Sequence, residues 1–233
     1  MESTPRDNFN SPIFILGLPR SGTSMIAGAL EICGAWAGST VPGEPENPKG
    51  YFEHIVLRER LTKRILALIG CDPLGVTKLP PVDLHGEIEG LHDLVRTAIE
   101  NDGYAHDRRW LYKDIKLSLI WPFFNKAFPD ATWLIVRRDE ESVINSCLNA
   151  YFFKPYSQDR EFWKQYAHEY QIRLEALKRS GVDVLEISTP AIINGNFSEL
   201  ESLISRLGLT YRENELKEFI CPDYWHGDAE RDR

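Results

Sequence analysis

Apolar segments of two kinds alternate along the chain and predict its secondary structure. Short continuous apolar runs rich in β-branched residues are typical of buried strands, whereas apolar residues three or four positions apart are typical of helices packed on one side. Strands are predicted at residues 13–18, 110–113, 132–137 and 182–187. Helices are predicted at residues 22–33, 52–70, 87–101, 118–127, 159–180, 197–207 and 213–220, with one more opening at Asp139. Because strands and helices alternate, we expect an α/β fold in which helices cover both faces of a parallel sheet.

Two segments rich in Gly and Pro, residues 38–50 and 71–86, separate these elements and predict loops. The second loop is either a lid over a bound substrate or a passive connection. The chain has 233 residues, enough for one sizeable core, so we expect a single domain over residues 1–233. Its ends, residues 1–11 and 222–233, are expected to be loosely held.

Composition and charge narrow the range of functions. The sequence is 42% hydrophobic and 27% charged, which is ordinary for a globular protein, and no apolar stretch approaches the roughly 18–20 residues of a membrane span. The net charge of −8 argues against a nucleic-acid partner, so any anion site must be built locally from a few cations and backbone amides. The four cysteines are far apart and show no metal spacing, which indicates reduced thiols and predicts a cytoplasmic protein.

The most informative stretch is GLPRSGTS, which lies between the first predicted strand and the first predicted helix. Backbone amides at such a turn form a concave anion site, to which the helix N-terminus adds partial positive charge. Gly22 permits close approach of a ligand, and Arg20 adds a fixed charge with a planar fork of donors. Hydroxyl donors are offered by Ser21, Thr23 and Ser24.

The loop lacks the lysine of an ATP-binding loop, because Thr23 occupies that position. Tight binding of a triphosphate with magnesium is therefore disfavoured. A single 5′-phosphate-type group still suits the loop, with Arg20 as its cation.

This loop resembles the first motif of the sulfotransferase family, P-[KR]-S-G-T-[ST], which appears here as Pro19-Arg20-Ser21-Gly22-Thr23-Ser24. The second motif of that family, an Arg at a strand end and a Ser eight residues on, is matched by Arg138 and Ser146. The resemblance spans about residues 13–150 and implies a three-layer P-loop-type fold and the donor 3′-phosphoadenosine 5′-phosphosulfate (PAPS). It also implies that Arg138 and Ser146 hold the 3′-phosphate, as an Arg at a helix N-terminus with a Ser two turns along can do.

Two further segments resemble the family. LYKDIK, which contains Lys113, is similar to the lysine-bearing strand between the two motifs, and NPKGYFE is similar to a segment of bacterial carbohydrate-type members. In sulfuryl transfer we expect Lys113, at its strand end, to contact the sulfuryl oxygens, while Arg20 and the loop amides stabilise charge on the departing 5′-phosphate. No metal is expected in this chemistry.

The acceptor hydroxyl needs a general base, which the sequence leaves open. A branch of the family that acts on phenols and steroids uses a His where this chain has Ile115. Other branches use a Glu shortly after the phosphate loop, for which Glu53 is the favoured candidate and Glu44 the next. Asp114, beside the strand lysine, is a third candidate, whereas His54 is interpreted as a surface residue.

The leading hypothesis is a PAPS-dependent sulfotransferase that acts on a hydroxyl or amine of a carbohydrate, lipid or other small metabolite. A kinase or NTPase is the first alternative and would need Asp114 to hold magnesium. A catalytically idle nucleotide-binding module is the second, since the family histidine and a late basic, Gly-rich segment are both missing. The aromatic run at residues 151–156 either lines the acceptor pocket, stacks on adenine or fills the core, and no oligomeric state is predicted.

Overall fold

The computed structural model describes residues 7–45 and 47–220. A parallel sheet of four strands lies at its centre, in the order β2-β1-β3-β4. The strands are β1 (Ile13–Gly17), β2 (Leu111–Lys113), β3 (Thr132–Arg137) and β4 (Val184–Ser188). The two middle strands are almost wholly buried, as expected for a sheet covered on both faces.

Helices occupy both sides of this sheet. Their bounds are α1 (Thr23–Ile32), a π-helical segment (Leu57–Thr62) that continues into α2 (Lys63–Leu68), α3 (Leu91–Glu100), α4 (Leu117–Ala127), α5 (Glu140–Asn149), a 3-10 turn (Tyr151–Phe153), α6 (Arg160–Arg179), α7 (Thr189–Ile193), α8 (Ser198–Arg206) and α9 (Glu213–Phe219). Among residues 7–45 and 47–220, no helix combines the length and the apolar composition needed to cross a membrane.

The alternation of side chains along the strands creates two separate cores. Phe14 and Leu16 of β1 pack on one face with residues of α3, α4, α5 and α6. Ile13 and Ile15 of the same strand pack on the other face with residues of α1, α8 and α9. Successive side chains of a strand point to opposite faces, so a purely apolar strand requires cover on both. The predicted three-layer α/β fold of the P-loop type is thereby confirmed.

The strand register brings the carboxyl ends of three strands to one edge. Gly17, at the end of β1, lies opposite Val136 of β3, while Lys113, at the end of β2, lies opposite Ile15. The loop after β1, the turn after β2 and the start of α5 therefore meet at the edge where ligands of parallel sheets bind.

Three expectations differ from the structure. Residues 7–11 are not loosely held, because Phe9 is buried and accepts a hydrogen bond from Trp110 Nε1 at 2.9 Å. The helix predicted from residue 52 begins only after Glu53, because Phe52 has a φ of 54° and His54 forms a β-bridge with Thr40. The short helix α7 was not predicted. The C-terminal segment 222–233 lies outside the described residues.

Candidate active site

A cavity of about 500 Å³ opens at the carboxyl edge of the sheet. It is lined by most of the residues singled out from the sequence, namely Pro19, Arg20, Gly22, Thr23, Ser24, Glu44, Glu53, Lys113, Arg138 and Ser146. Ser21 and Asp114 belong to the predicted set but are not part of this lining.

The loop after β1 leads into α1, and the N-terminus of this helix lines the cavity. Gly22 caps the helix with a φ of 92°, and α1 carries no acidic residue in its first turn. The positive end of the helix dipole is therefore not neutralised from within the helix. Arg20 also has a positive φ, 65°, an uncommon conformation for a residue with a side chain.

Two residues hold the loop in this shape. Ser21 is buried, and both its amide and its hydroxyl donate to the carbonyl of Leu18, at 3.2 and 2.7 Å. A Cβ on Gly17 would lie 2.6 Å from the carbonyl oxygen of Val136, so no larger residue fits there. The prediction that the Ser21 hydroxyl faces the donor is therefore corrected: Ser21 shapes the loop from within.

Ser24 connects the loop to the NPKGYFE segment. Its hydroxyl donates to the carbonyl of Tyr51 at 3.2 Å and receives a long contact from the Asn47 amide at 3.4 Å. Asn47 also donates to the carbonyl of Gly50 at 2.7 Å, which closes the turn. The segment that carries Glu53 is thus fixed against the first turn of α1.

The two phosphate motifs meet although they are far apart in sequence. Arg20 Nε donates to Ser146 Oγ at 3.0 Å, and Arg138 Nη1 donates to the carbonyl oxygen of Arg20 at 3.0 Å. Asp139 caps α5 as predicted, accepting from the amide of Ser142 at 2.8 Å. Arg137, by contrast, is paired with Glu186 and Glu175 on the outer surface.

Glu53 lies between two cations in the lining of the cavity. Its Oε1 accepts from Lys113 Nζ at 2.8 Å, and its Oε2 lies 2.8 Å from Arg58 Nε, an ion-pair contact without the alignment of a hydrogen bond. Burial alone would raise the pKa of Glu53, but the charges of Lys113, Lys116 and Arg58 outweigh it and lower this pKa to about 2. The carboxylate is therefore ionised and held in place.

The other two base candidates are placed differently. Asp114 is fully buried beneath the cavity, where it accepts from Tyr112 Oη at 2.9 Å and pairs with Lys116 Nζ at 2.7 Å. With its oxygens committed to these groups, Asp114 reaches neither an acceptor nor a magnesium ion in the cavity. Glu44 is exposed at the cavity rim and accepts a long hydrogen bond from Tyr51 Oη at 3.3 Å.

His54 is not a surface residue, contrary to the prediction, because it is only 1% exposed. Its Nε2 lies 3.2 Å from Asp102 Oδ2, and its Nδ1 accepts from the amide of Leu57 at 3.3 Å. Asp102 also accepts from the amide and the hydroxyl of Ser39, at 2.5 and 2.6 Å. Burial lowers the pKa of His54, and the neighbouring Asp102 only partly offsets this. His54 thus anchors the backbone beside Glu53 to α3 and to the loop at Ser39.

Sequence reasoning missed three participants in this site. Arg58 follows Glu53 by five positions, a spacing that does not place two side chains on one face of a helix, so the sequence gives no local signal of this ion pair. Lys116 follows the strand lysine by three positions, but nothing in the pattern distinguishes it from a solvated charge. The pairing of His54 with Asp102 joins residues 48 positions apart, and no local sequence pattern predicts it.

The fold and the cavity define an α/β protein with a P-loop-type anion site at the carboxyl edge of its sheet. The model of the sulfotransferase family matches residues 12–213, which is most of the chain. The chain belongs to the sulfotransferase family and is a sulfotransferase.

The solved structures that share this fold are described as sulfotransferases or sulfotransferase domains. The chain is similar to the sulfotransferase domain of the olefin synthase from Synechococcus PCC 7002, with 17% identity, a TM-score of 0.55 and coverage of 97% of this chain and 84% of that one. It is also similar to sulfotransferase STF1 from Mycobacterium tuberculosis, with 14% identity, a TM-score of 0.56 and coverage of 90% and 70%. For sulfotransferase STF9 from Mycobacterium avium the identity is 13%, the TM-score 0.54 and the coverage 98% and 70%. No functionally curated protein is significantly similar to the chain.

Proposed function

We propose that this sulfotransferase transfers a sulfuryl group from PAPS to a hydroxyl, or an amine, of a small acceptor. The observation that carries the proposal is the convergence of both phosphate motifs and the Glu53–Lys113 pair on one cavity. Six cationic side chains and two acidic ones of the described residues line it, so the cavity is locally positive on a chain of net charge −8. Such a site favours a donor with several anionic groups.

The loop after β1 would hold the 5′-phosphosulfate of the donor. Gly22, Thr23 and Ser24 present the N-terminus of α1 to the cavity, where backbone amides stabilise an anion. Arg138 and Ser146 would hold the 3′-phosphate. Arg20 lies between the two groups, because its side chain contacts Ser146 while its backbone belongs to the loop.

The transfer itself is an in-line displacement at sulfur. The acceptor oxygen forms a bond to sulfur while the bond from sulfur to the oxygen of the 5′-phosphate breaks. Glu53 takes the acceptor proton, and 3′-phosphoadenosine 5′-phosphate (PAP) leaves with the electron pair of the broken bond. Lys113 would neutralise charge on the sulfuryl oxygens. We infer no metal in this step, because Thr23 replaces the lysine that accompanies magnesium in ATP-binding loops.

The low pKa of Glu53 also has a consequence for this role. A carboxylate paired with Lys113 and Arg58 is a weak base, and it gains basicity when one of these cations turns to another anion. A sulfuryl group beside Lys113 supplies that anion. Donor binding would therefore prepare Glu53 to accept the proton.

The kinase alternative depended on Asp114 as a magnesium ligand, and the burial of that residue removes its support. The acceptor remains a carbohydrate, a lipid or another small metabolite, and a cytoplasmic location remains a prediction from composition.

Titration calorimetry with PAP, AMP and magnesium-ATP tests the donor assignment. We expect PAP to bind at least tenfold more tightly than AMP, about 1.4 kcal/mol, because only PAP fills both phosphate sites. Preference for magnesium-ATP, or equal binding of PAP and AMP, would contradict the proposal. Release of PAP from PAPS in the presence of an acceptor then measures turnover.

A further inference from the structure

Part of the cavity lining, which includes Ile115 two residues after Lys113, is apolar and belongs to no proposed phosphate site. It consists of Leu74, Val76, Ile115 and Tyr156, which we call the apolar wall. Val76, Ile115 and Tyr156 are packed against the larger hydrophobic core, so their positions are fixed. Leu74 instead remains 47% exposed.

The loop that carries Leu74 is held by its own hydrogen bonds. The carboxylate of Asp72 accepts from the amides of Leu74, Val76 and Thr77, at 2.9, 2.9 and 3.0 Å. These amides point into the loop and leave its apolar side chains to face the cavity. Exposed apolar surface in a preformed pocket is the usual contact for an apolar part of a ligand.

Contacts with two helices keep the loop in position. Tyr170 Oη, from α6, donates to the carbonyl of Gly75 at 2.9 Å, and Arg173 donates to the carbonyl of Pro80. A Cβ on Gly75 would lie 3.0 Å from Leu119 Cδ1 of α4 and 2.7 Å from Tyr170 Oη of α6, so the loop is packed closely against both helices. Residues 72–80 are thus held against the neighbouring helices, with Leu74 and Val76 in the cavity lining.

The charged groups near this wall are already paired. Lys116 Nζ contacts Asp114 at 2.7 Å, and Arg58 contacts both Glu53 and Glu59. A sugar ring placed here would bury several hydroxyls against apolar side chains and paired charges, which costs free energy for each hydrogen bond left unmade.

We propose that the acceptor is an amphiphilic alcohol, in which the reacting hydroxyl is attached to an alkyl or aryl body that packs on the apolar wall. This inference rests on the proposed sulfuryl transfer and adds the class of acceptor. The hydroxyl meets Glu53 and Lys113, and the apolar body covers Leu74. Leu74 is therefore a specificity-determining residue.

The test compares two probes with the same polar head, octyl β-D-glucoside and methyl β-D-glucoside. Each is titrated into the enzyme saturated with PAP, at concentrations below micelle formation. We expect the octyl compound to bind at least tenfold more tightly, and Leu74→Ser to reduce this ratio at least threefold. Leu68→Ser is the matched control, because Leu68 is exposed on α2 and does not line the cavity.

The outcomes separate this inference from the proposed function. Equal binding of the two glucosides, or the same loss in Leu74→Ser and Leu68→Ser, would overturn the amphiphilic acceptor while PAP binding stays intact. Failure of PAP itself to bind would overturn the proposed donor, and with it the reaction on which this inference rests. Faster turnover of the octyl compound with PAPS, reduced in Leu74→Ser only, would support both.

Discussion

The cavity has two halves, which we call the donor half and the acceptor half after the roles proposed for them. The two halves are built in different ways. The donor half consists of a strand-to-helix loop and a helix N-terminus, and the groups proposed to bind anions there are backbone amides with Arg20 and Arg138. The acceptor half consists of side chains from separate segments, with Glu53 between two cations and Leu74 on a fixed loop. A site built from backbone groups can be predicted from a short sequence motif. A site built from side chains of separate segments can be predicted only when the whole tertiary structure is known.

This difference predicts which substitutions separate binding from chemistry. Changes in the donor half should alter nucleotide affinity, and changes in the acceptor half should alter turnover. A substitution in the donor half that altered only turnover, or one in the acceptor half that altered only nucleotide affinity, would contradict this division of roles.

Glu53→Gln should have the largest effect. If Glu53 is the base, as proposed, its removal should lower kcat by about 10²–10⁴-fold, the usual contribution of general-base catalysis, whereas PAP affinity should change less than threefold. The two readouts are PAP release under saturating PAPS and calorimetric titration of PAP. Glu44→Gln is the control at the cavity rim; if it lowers kcat as much and Glu53→Gln does not, the base is Glu44.

The ion pairs of Glu53 should also appear in the pH dependence of stability. Its folded-state pKa of about 2 lies below the ordinary value of 4.5, so the ionised group stabilises the fold above pH 4.5. As pH falls from 4.5 to 2, this contribution is lost, up to about 3 kcal/mol. Urea unfolding of the wild type and of Glu53→Gln over this range measures it. The stability difference between them should shrink with acid; a constant difference would show that the pairs with Lys113 and Arg58 do not stabilise the ionised form.

Arg138→Ala should have the smallest of these effects and should act only on the donor. Loss of a charged hydrogen-bond donor costs about 1.5–3 kcal/mol, so PAP binding should weaken by roughly 10–100-fold. AMP lacks the 3′-phosphate, and its binding should change much less. Arg137→Ala is the matched control, since the side chain of Arg137 is paired with surface acids. An equal loss of affinity for AMP would assign Arg138 to the loop conformation, through its bond to the Arg20 carbonyl, rather than to the 3′-phosphate.

The donor half was largely predictable from sequence. The apolar run before Gly17, the glycine at position 22 and the helix capped by Asp139 are local signals, and the structure has each where it was expected. Ser21 is the exception, because a motif does not show whether a hydroxyl donates to a ligand or to the loop itself.

The acceptor half was less predictable for physical reasons. The positive φ of Phe52 delays the start of the predicted helix, and helix propensity does not predict a strained aromatic residue at this position. The burial of His54 depends on Asp102, from the turn after α3, and the burial of Asp114 depends on Lys116 and Tyr112. Such pairings are decided by tertiary packing, so residue type and position in sequence favoured the wrong environment for both.

The contrast between a net charge of −8 and a cationic cavity has a consequence for how the proposed polyanionic donor would reach its site. At long range a polyanionic nucleotide meets repulsion, and only within about one Debye length, ~10 Å at 0.1 M ionic strength, does the local field of the cavity take over. Salt therefore acts in opposite directions on the two stages of association. It relieves the repulsion between enzyme and donor in solution, while it weakens the final contacts between phosphates and cations.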